Sequence, residues 1–415
     1  MIFTLSLLLG SAWLTGCSSD GTGTTSVEVK EMVPFTLDEN QSAVNLQTLG
    51  FSFKLLQQVN RQQPNNNLLL SPLSAEMLLA MVCNGADGQT QTQMLAALGF
   101  EGLSLADLNS YNRLLLNQLP TIDATTQLAL ANGLWAQSDF PFLDTYLDMA
   151  RQNYDAEVSN IDFSQPVKAC RQINQWCSDH TDGLIPEVIN EVDTDLVMLL
   201  ANALYFKGIW REPFLSSNTS DASFYNLDGT TSTVRMMYEE ANYSHYEGAG
   251  FSAISKQYGN GAFRMWFLLP DATDSLEASL ARLDATTWST LTTEGCTGTF
   301  ETSFYLPHLD MKYERELNDD LMALGISDAF SAEAADFSAM ASRPLYLDYV
   351  KQFTRLKLDE KGTEAAAVTI GAMNKITSIG PSQHRTFRLD RPFVFFITEA
   401  NTHAILFAGK VVKLD

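Results

Sequence analysis

A strand that runs into a long segment without large side chains constrains this chain more than any other feature. Residues Thr354 to Asp359 alternate polar and apolar side chains, which predicts a half-buried strand. Gly362 ends the pattern, and Thr363 to Thr369 are small and almost uncharged. The chain then stays polar and rich in turn residues as far as Pro381. A connection of this kind inside a compact domain is typical of a functional loop or of disorder.

The composition favours a large folded domain with an acidic surface. Hydrophobic residues make up 45% of the 415 residues, which is enough for a sizeable core. The length would allow two or three domains, but without internal repeats or a second linker we predict one α/β domain over residues 37–415. The formal charge of -23 argues against nucleic acid, heparin-like polyanions or an anionic membrane surface as partners, and it favours solubility.

The N-terminus resembles a bacterial lipoprotein signal. Ile2 to Leu14 form an apolar run that is too short to span a bilayer permanently and is typical of a signal-peptide core. The next residues, Leu-Thr-Gly-Cys, end at Cys17 and resemble a lipoprotein box, although the usual basic segment is missing. We expect residues 1–16 to be removed, Cys17 to be lipidated, and residues 17–36 to form a flexible tether. The alternative is an ordinary cleaved signal with a chance cysteine.

This signal predicts a location in the bacterial cell envelope. A lipid on Cys17 would anchor the protein to a membrane, facing the periplasm or the exterior. Ser18 and Ser19, with no aspartate directly after Cys17, favour the outer membrane or the cell surface in a Gram-negative host.

The remaining cysteines predict neither a disulfide nor a metal site. They are Cys83, Cys170, Cys177 and Cys296. Cys170 and Cys177 share a helical face about 10 Å apart, which is too far for a disulfide within one straight helix. No cysteine or histidine cluster has zinc-site spacing, so we expect no metal and no cofactor. We interpret these cysteines as buried free thiols.

Hydrophobic periodicity predicts a mixture of helices and strands. Helical spacing is evident in Leu37–Val59, and Ser71 followed by Pro72 is typical of a helix start. The mostly apolar run Thr194–Phe206 predicts a strand buried on both faces. The other predicted helices are 72–83, 90–98, 105–119, 146–154, 167–177, 276–283 and 315–324, and the other strands are 68–70, 127–135, several between 223 and 269, 304–306, 393–397 and 404–408.

Motifs of the common enzyme classes are absent from the sequence. There is no GxSxG, HExxH, GxGxxG or phosphate-binding glycine loop. The five histidines, His180, His245, His308, His384 and His403, stand in unlike contexts away from candidate nucleophiles. We therefore predict that the protein is not an enzyme. The alternative is a hydrolase whose triad is assembled from distant residues.

Six segments, in one order between residues 37 and 412, resemble the serpin family of protease inhibitors. Residues 67–74, NLLLSPLS, resemble the family pattern N-x-x-x-S-P-x-S, and residues 202–210, NALYFKGIW, resemble its central strand. Residues 359–367, DEKGTEAAA, resemble the inhibitory hinge. The other matches are 324–338, 390–397 and 405–411. Each motif alone is weak, but six in sequence are specific.

The resemblance implies a fold, a mechanism and partners. The fold would be α/β with three β-sheets, about nine helices and an exposed reactive-centre loop at about residues 360–386. A protease would cut this loop and be held as an acyl-enzyme while the loop inserts into the main sheet as a new strand. The partner would be a serine protease or a cysteine protease. A monomer without a heparin-type activator is expected.

The hinge residues suit insertion into a sheet. Counting from Thr363, alternate residues would face a packed core, and none of them is charged as far as Met373. Glu364, the one charge, falls on the outward side. The alternative is an inert loop, as in non-inhibitory serpins that act as carriers or binding proteins. The residues assigned to the hinge are Glu360, Gly362, Thr363, Glu364, Ala365, Ala366, Ala367, Val368 and Thr369.

Several polar positions match the region where the family's main sheet opens. The resemblance places Asn67, Ser71, Ser74, Asn202 and Trp210 there, although helix capping and buried hydrogen bonds would also explain the polar ones. The family commonly has a histidine ten residues before the hinge glycine. Here that position is Gln352, which can donate and accept hydrogen bonds but cannot titrate.

Family spacing places the scissile bond between Ile376 and Thr377. Ile376 would suit an elastase-like or subtilisin-like protease. The alternative is the bond between Lys375 and Ile376, which would suit a trypsin-like protease. The segment from Gly362 to Pro392 is a few residues longer than is common, so both registers stay open.

Overall fold

The computed structural model describes most of the chain after residue 30. The described ranges are 31–100, 102–183, 186–194, 196–248, 250–293, 295–348, 350–363 and 384–415. Residues 364–383, which belong to the predicted reactive-centre loop, and the N-terminal residues 1–30, with Cys17, lie outside them. Within the described residues, no helix is both long and apolar enough to cross a membrane.

Nine α-helices lie in the described residues, as predicted. Two begin with a complete capping box, in which Asp38 accepts from Gln41 N and Ser104 accepts from Asp107 N. Ser71 precedes a helix as predicted, but its hydroxyl makes no capping bond. The helices are α1 (Glu39–Gln62), α2 (Pro72–Cys83), α3 (Gly88–Leu98), α4 (Leu105–Gln118), α5 (Asp144–Tyr154), α6 (Pro166–His180), α7 (Leu276–Ala281), α8 (Ala285–Thr293) and α9 (Asn318–Ala323).

The strands found in the described ranges form two hydrogen-bonded networks. The individual strands are β1 (Leu68–Leu70), β2 (Thr126–Gln137), β3 (Ala156–Ile161), β4 (Met198–Ile209), β5 (Ser220–Tyr225), β6 (Thr231–Gly248), β7 (Phe251–Tyr258), β8 (Phe263–Pro270), β9 (Gly298–Pro307), β10 (Leu309–Glu316), β11 (Lys351–Asp359), β12 (Gly362–Thr363), β13 (Arg385–Arg388), β14 (Phe393–Glu399) and β15 (Ile405–Val411).

The smaller network is a six-stranded sheet with the order β10-β11-β12-β4-β2-β3. Its strand β11 shows the predicted alternation, since Leu356 and Leu358 are buried and Lys357 is exposed. The predicted helix 315–324 was wrong at its start, because Arg315 and Glu316 belong to β10 and pair with Gln352 and Lys351 of β11. Sheet pairing there overrides the local sequence pattern.

The larger network follows the order β1-β15-β14-β8-β7-β6-β9-β13, with β5 also paired to β6. Its 18-residue strand β6 pairs first with β5, then with β9, and finally with β7 through its last three residues. One long strand therefore joins two sheets. Together with the six-stranded sheet they account for the three predicted sheets.

The core lies between these sheets and the helices. Both β14 and β15 are buried along their whole length, so the charged residues within them need partners. Glu399 accepts from the backbone N–H of Asn401 and Thr402, both at 2.7 Å. Lys410 donates to Asn60 Oδ1 at 2.7 Å. These bonds fix the C-terminal hairpin in the centre of the molecule.

The cysteines follow the prediction with one exception. Cys83, Cys170 and Cys177 are buried and free. Cys296 is free but exposed, so its predicted burial was wrong. It lies in the connection between α8 and β9, where neighbouring elements do not cover it.

Candidate functional site

The two-residue strand β12 lies at the centre of the candidate site. It is inserted between β11 and β4 and runs antiparallel to both. Thr363 is opposite Leu358 on one side and Gly208 on the other. Within the described residues, β11 and β4 are not paired with each other directly. The six-stranded sheet therefore already contains the first two residues of a strand between its halves.

Gly362 is fitted to this position by its backbone and by its lack of a side chain. Its φ of +144° is rarely adopted by residues with a side chain. A Cβ atom there would lie 2.1 Å from the carbonyl oxygen of Gly208. The hinge glycine thus allows three strands to meet.

Thr363 points into the core below the sheet. Its side chain is 1% exposed, and its hydroxyl lies 2.6 Å from the hydroxyl of Tyr258. Tyr258 stacks on Trp210 at a centroid distance of 4.2 Å. Thr363, the first side chain of the inserted strand to face the core, is therefore already buried in a closed, mostly apolar site.

The segment after β4 holds the hinge turn by its backbone. The N–H of Trp210 donates to Lys361 O at 2.7 Å, and the N–H of Phe214 donates to Glu360 O at 2.9 Å. The Trp210 indole Nε1 donates to Asp359 O at 3.3 Å. Trp210, predicted to lie in the opening region, thus supports the hinge directly.

The Glu360 carboxylate makes a second set of contacts. Thr219 Oγ1 donates to Glu360 Oε1 at 2.7 Å, and His308 Nε2 lies 3.1 Å from the same oxygen. Burial alone would raise the pKa of Glu360, but the Thr219 hydrogen bond and His308 bring it below its ordinary value. Sequence reasoning missed Thr219 and His308, because only the fold brings these distant residues to the hinge.

Gln352 ties β11 to the beginning of α2. Its side-chain Oε1 accepts from Ser71 N at 2.9 Å, and its Nε2 donates to Ser71 O at 2.8 Å. Two positions further on, Thr354 Oγ1 donates to Leu69 O at 2.6 Å. The half of the sheet that contains β11 is therefore fixed to β1 and α2, which lie outside that sheet.

The other predicted opening residues do not all meet. Ser74 is buried in α2, and Asn202 is opposite Asn132 in the pairing of β4 with β2. Asn67 instead holds the C-terminal end: its Oδ1 accepts from Val412 N at 2.7 Å, and its Nδ2 donates to Lys413 O. The candidate bonds at Lys375, Ile376 and Thr377, and hinge residues 364–369, lie outside the described residues. No group of three metal-ligating side chains occurs in the described part.

Comparison with known proteins agrees with this architecture. The family model described as "Serpin (serine protease inhibitor)" matches residues 47–414. Leukocyte elastase inhibitor A of Mus musculus is 32% identical over 87% of this chain and 97% of its own length. Corticosteroid-binding globulin of Oryctolagus cuniculus is 31% identical over 88% of this chain and 94% of its own length.

Solved structures give the same result. The native state of the thermophilic serpin tengpin superposes with a TM-score of 0.81 and 29% identity, covering 94% of this chain and 98% of tengpin. Human thyroxine-binding globulin in complex with its ligand gives a TM-score of 0.80 and 26% identity, covering 90% of this chain and 99% of that one. The chain belongs to the serpin family.

Proposed function

We propose that this serpin inhibits serine proteases by a suicide-substrate mechanism. The observation that carries the proposal is β12, which begins a strand between β4 and β11 at the point where the predicted bait loop starts. Cleavage of that loop would free it to continue the strand. The protease would then be displaced while still attached as an acyl-enzyme.

The energetics of strand addition support this mechanism. Each added backbone hydrogen bond contributes about 1 kcal/mol net, so roughly ten inserted residues would contribute on the order of 10 kcal/mol. That is comparable to the whole stability of a typical domain, about 5–15 kcal/mol. The uncleaved protein would therefore be held by a kinetic barrier.

The target class rests on the residue before the cut. Ile376 favours an elastase-like or subtilisin-like protease, and the leukocyte elastase inhibitors among the relatives are consistent with this choice. Cleavage after Lys375 would instead favour a trypsin-like protease. Lipid attached at Cys17 would hold the inhibitor in the cell envelope, facing the periplasm or the exterior.

A second candidate function is a non-inhibitory binding or carrier protein. Two relatives are named for binding, a corticosteroid-binding globulin and a thyroxine-binding globulin. The uncharged inward positions of the hinge favour inhibition over this alternative.

Incubation with elastase, trypsin, subtilisin and papain tests the proposal. We expect an SDS-resistant complex with at least one of them, and a C-terminal peptide that begins at Thr377 or Ile376 when analysed by mass spectrometry. Clean cleavage without a complex, and without a gain in heat stability, would favour the carrier function. Turnover of model esters or peptides would instead indicate a hydrolase.

A further inference from the structure

A large cavity lies away from the hinge, between β6, β7, β8 and the end of α8. Its volume is about 890 Å³, within the range typical of small-molecule sites. One face of the β7–β8 pair forms its floor, where Ser255 is opposite Trp266 and Gln257 is opposite Arg264. Leu291, near the end of α8, adds a buried apolar side chain.

Two arginines at this cavity have no acidic partner among the described residues. Arg211 donates to the neutral Gln257 Oε1 at 3.2 Å. Arg264 Nε is buried and has no hydrogen-bond partner in the described part of the chain. Burial and the nearby charge of Arg211 both lower the pKa of Arg264. Such an arrangement is unusual in a chain with 49 acidic and 26 basic residues.

Trp266 provides a second unsatisfied donor on the same floor. Its side chain is 8% exposed, and its indole Nε1 finds no acceptor among the described residues. It lies two positions from Arg264 along β8, so both side chains are on one face of the sheet. A buried indole N–H usually has a partner. Two neighbouring donors therefore lack an acceptor at one site.

The charged residues around the floor limit the size of an anionic ligand that could bind in this cavity. Lys256 is already paired with Glu239, at 2.6 Å. The acidic residues Glu212, Glu240 and Glu301 are exposed and line the outer part of the cavity. They would repel a polyanion that extends beyond the floor. A small ligand with one negative charge would reach the arginines and avoid this rim.

We infer that this cavity binds a small organic anion, with a carboxylate or sulfonate group between Arg264 and Arg211. The indole of Trp266 lies on the same face of the sheet as Arg264 and forms part of the floor beneath the ligand. The apolar part of the ligand packs against Leu291. This site does not depend on protease inhibition.

Titration with two matched dyes tests the site. The probes are 8-anilinonaphthalene-1-sulfonate and the neutral N-phenyl-1-naphthylamine, which lacks the sulfonate. The protein is expected to bind the sulfonate more tightly. Arg264→Met should weaken sulfonate binding by about tenfold, the loss of one charge-assisted contact. Arg151→Met, which alters an exposed arginine of α5, should leave it unchanged. Equal affinity for the two dyes, or unaltered binding to Arg264→Met, would overturn the inference.

Cys296 offers a measurement that needs no substitution. It is exposed and lines the cavity, whereas the other described cysteines are buried. Saturating sulfonate dye should slow alkylation of Cys296 by iodoacetamide several-fold, as read by mass spectrometry of its peptide. An unchanged alkylation rate in the presence of bound dye would place the dye elsewhere and refute the site, even if Arg264→Met fails to fold.

Discussion

Gly362 is constrained by a backbone angle and by a close contact at the same time. Gly229 has a positive φ of +82°, and a Cβ atom added there would meet nothing within 4 Å, so it separates the two effects. We expect Gly229→Ala to lower the free energy of unfolding by about 1 kcal/mol. Gly362→Ala should cost more than about 3 kcal/mol, because the hinge must also move away from Gly208. Equal losses in urea denaturation would contradict the close contact.

Thr363 tests whether the hinge works by insertion. Thr363→Arg would place a charge at the buried position beside Tyr258, and burying an unpaired charge strongly disfavours insertion of the strand. We expect the variant to be cleaved at the wild-type rate but to form no SDS-resistant complex. Lys361→Ala, in the exposed part of the same turn, is the control and should inhibit normally. A stable complex with Thr363→Arg would argue against the mechanism.

The lowered pKa of His245 predicts that the protein loses part of its folding stability at acidic pH. Burial, and then the charge of Arg385, lower its pKa from 6.5 to about 4. The unfolded chain therefore binds this proton at a higher pH than the native protein does. The stability contribution is complete above pH 6.5 and is lost as the pH falls towards 4.

We expect His245→Gln to flatten the dependence of unfolding free energy on pH in that window. His403, whose pKa is also about 4 through burial and Arg264, should retain the remaining slope. An identical slope for the variant and the wild type in chemical denaturation at several pH values would exclude this role for His245.

At the scale of elements, β11 is fixed while its neighbour β4 is separated from it by β12. Gln352→Ala would leave the buried N–H of Ser71 without a partner, whereas the C=O of Ser71 would keep its bond from Ala75 N, and the change should cost about 1–3 kcal/mol. Lys357→Ala, on the exposed side of the same strand, should change stability by less than about 0.5 kcal/mol. Similar unfolding midpoints for the two variants would show that the tie to α2 is weak.

Local pattern predicted some elements well and others poorly. The alternation of polar and apolar residues identified β11, and the apolar runs identified β14 and β15. In these strands the apolar residues occur at the positions that are buried, so the sequence pattern follows the burial pattern directly. Helix α8 was not predicted, since its threonine-rich sequence has a weak helical preference and is held by the buried Trp288. The contact of His308 with Glu360 could not be predicted, because it depends on where β9 meets β10.

At the scale of the whole molecule, six ordered motifs sufficed to identify the family, although no single one did. The order of strands within each sheet came from the structure, because pairing joins residues far apart in sequence. The split of β6 between two sheets is an example that no local pattern indicates.

The proposed insertion predicts a large change in global stability. After cleavage by a protease that is then removed, the protein should unfold at a clearly higher guanidinium concentration than the intact protein. The added strand would contribute on the order of 10 kcal/mol. The same midpoint before and after cleavage would show that the cut loop stays outside the sheet. Thr363→Arg, cleaved in the same way, is the matched control and should gain little.

The position of β14 and β15 has a consequence for the nicked protein. Both strands follow the proposed cut in sequence, yet β15 lies between β1 and β14, and β14 lies between β15 and β8. A break anywhere between Thr363 and His384 would therefore divide the covalent chain without dividing the fold. The two polypeptides would co-elute in gel filtration and would separate only in denaturant. The smaller fragment would remain bound as a non-covalent subunit, and the larger fragment could not keep its fold without it.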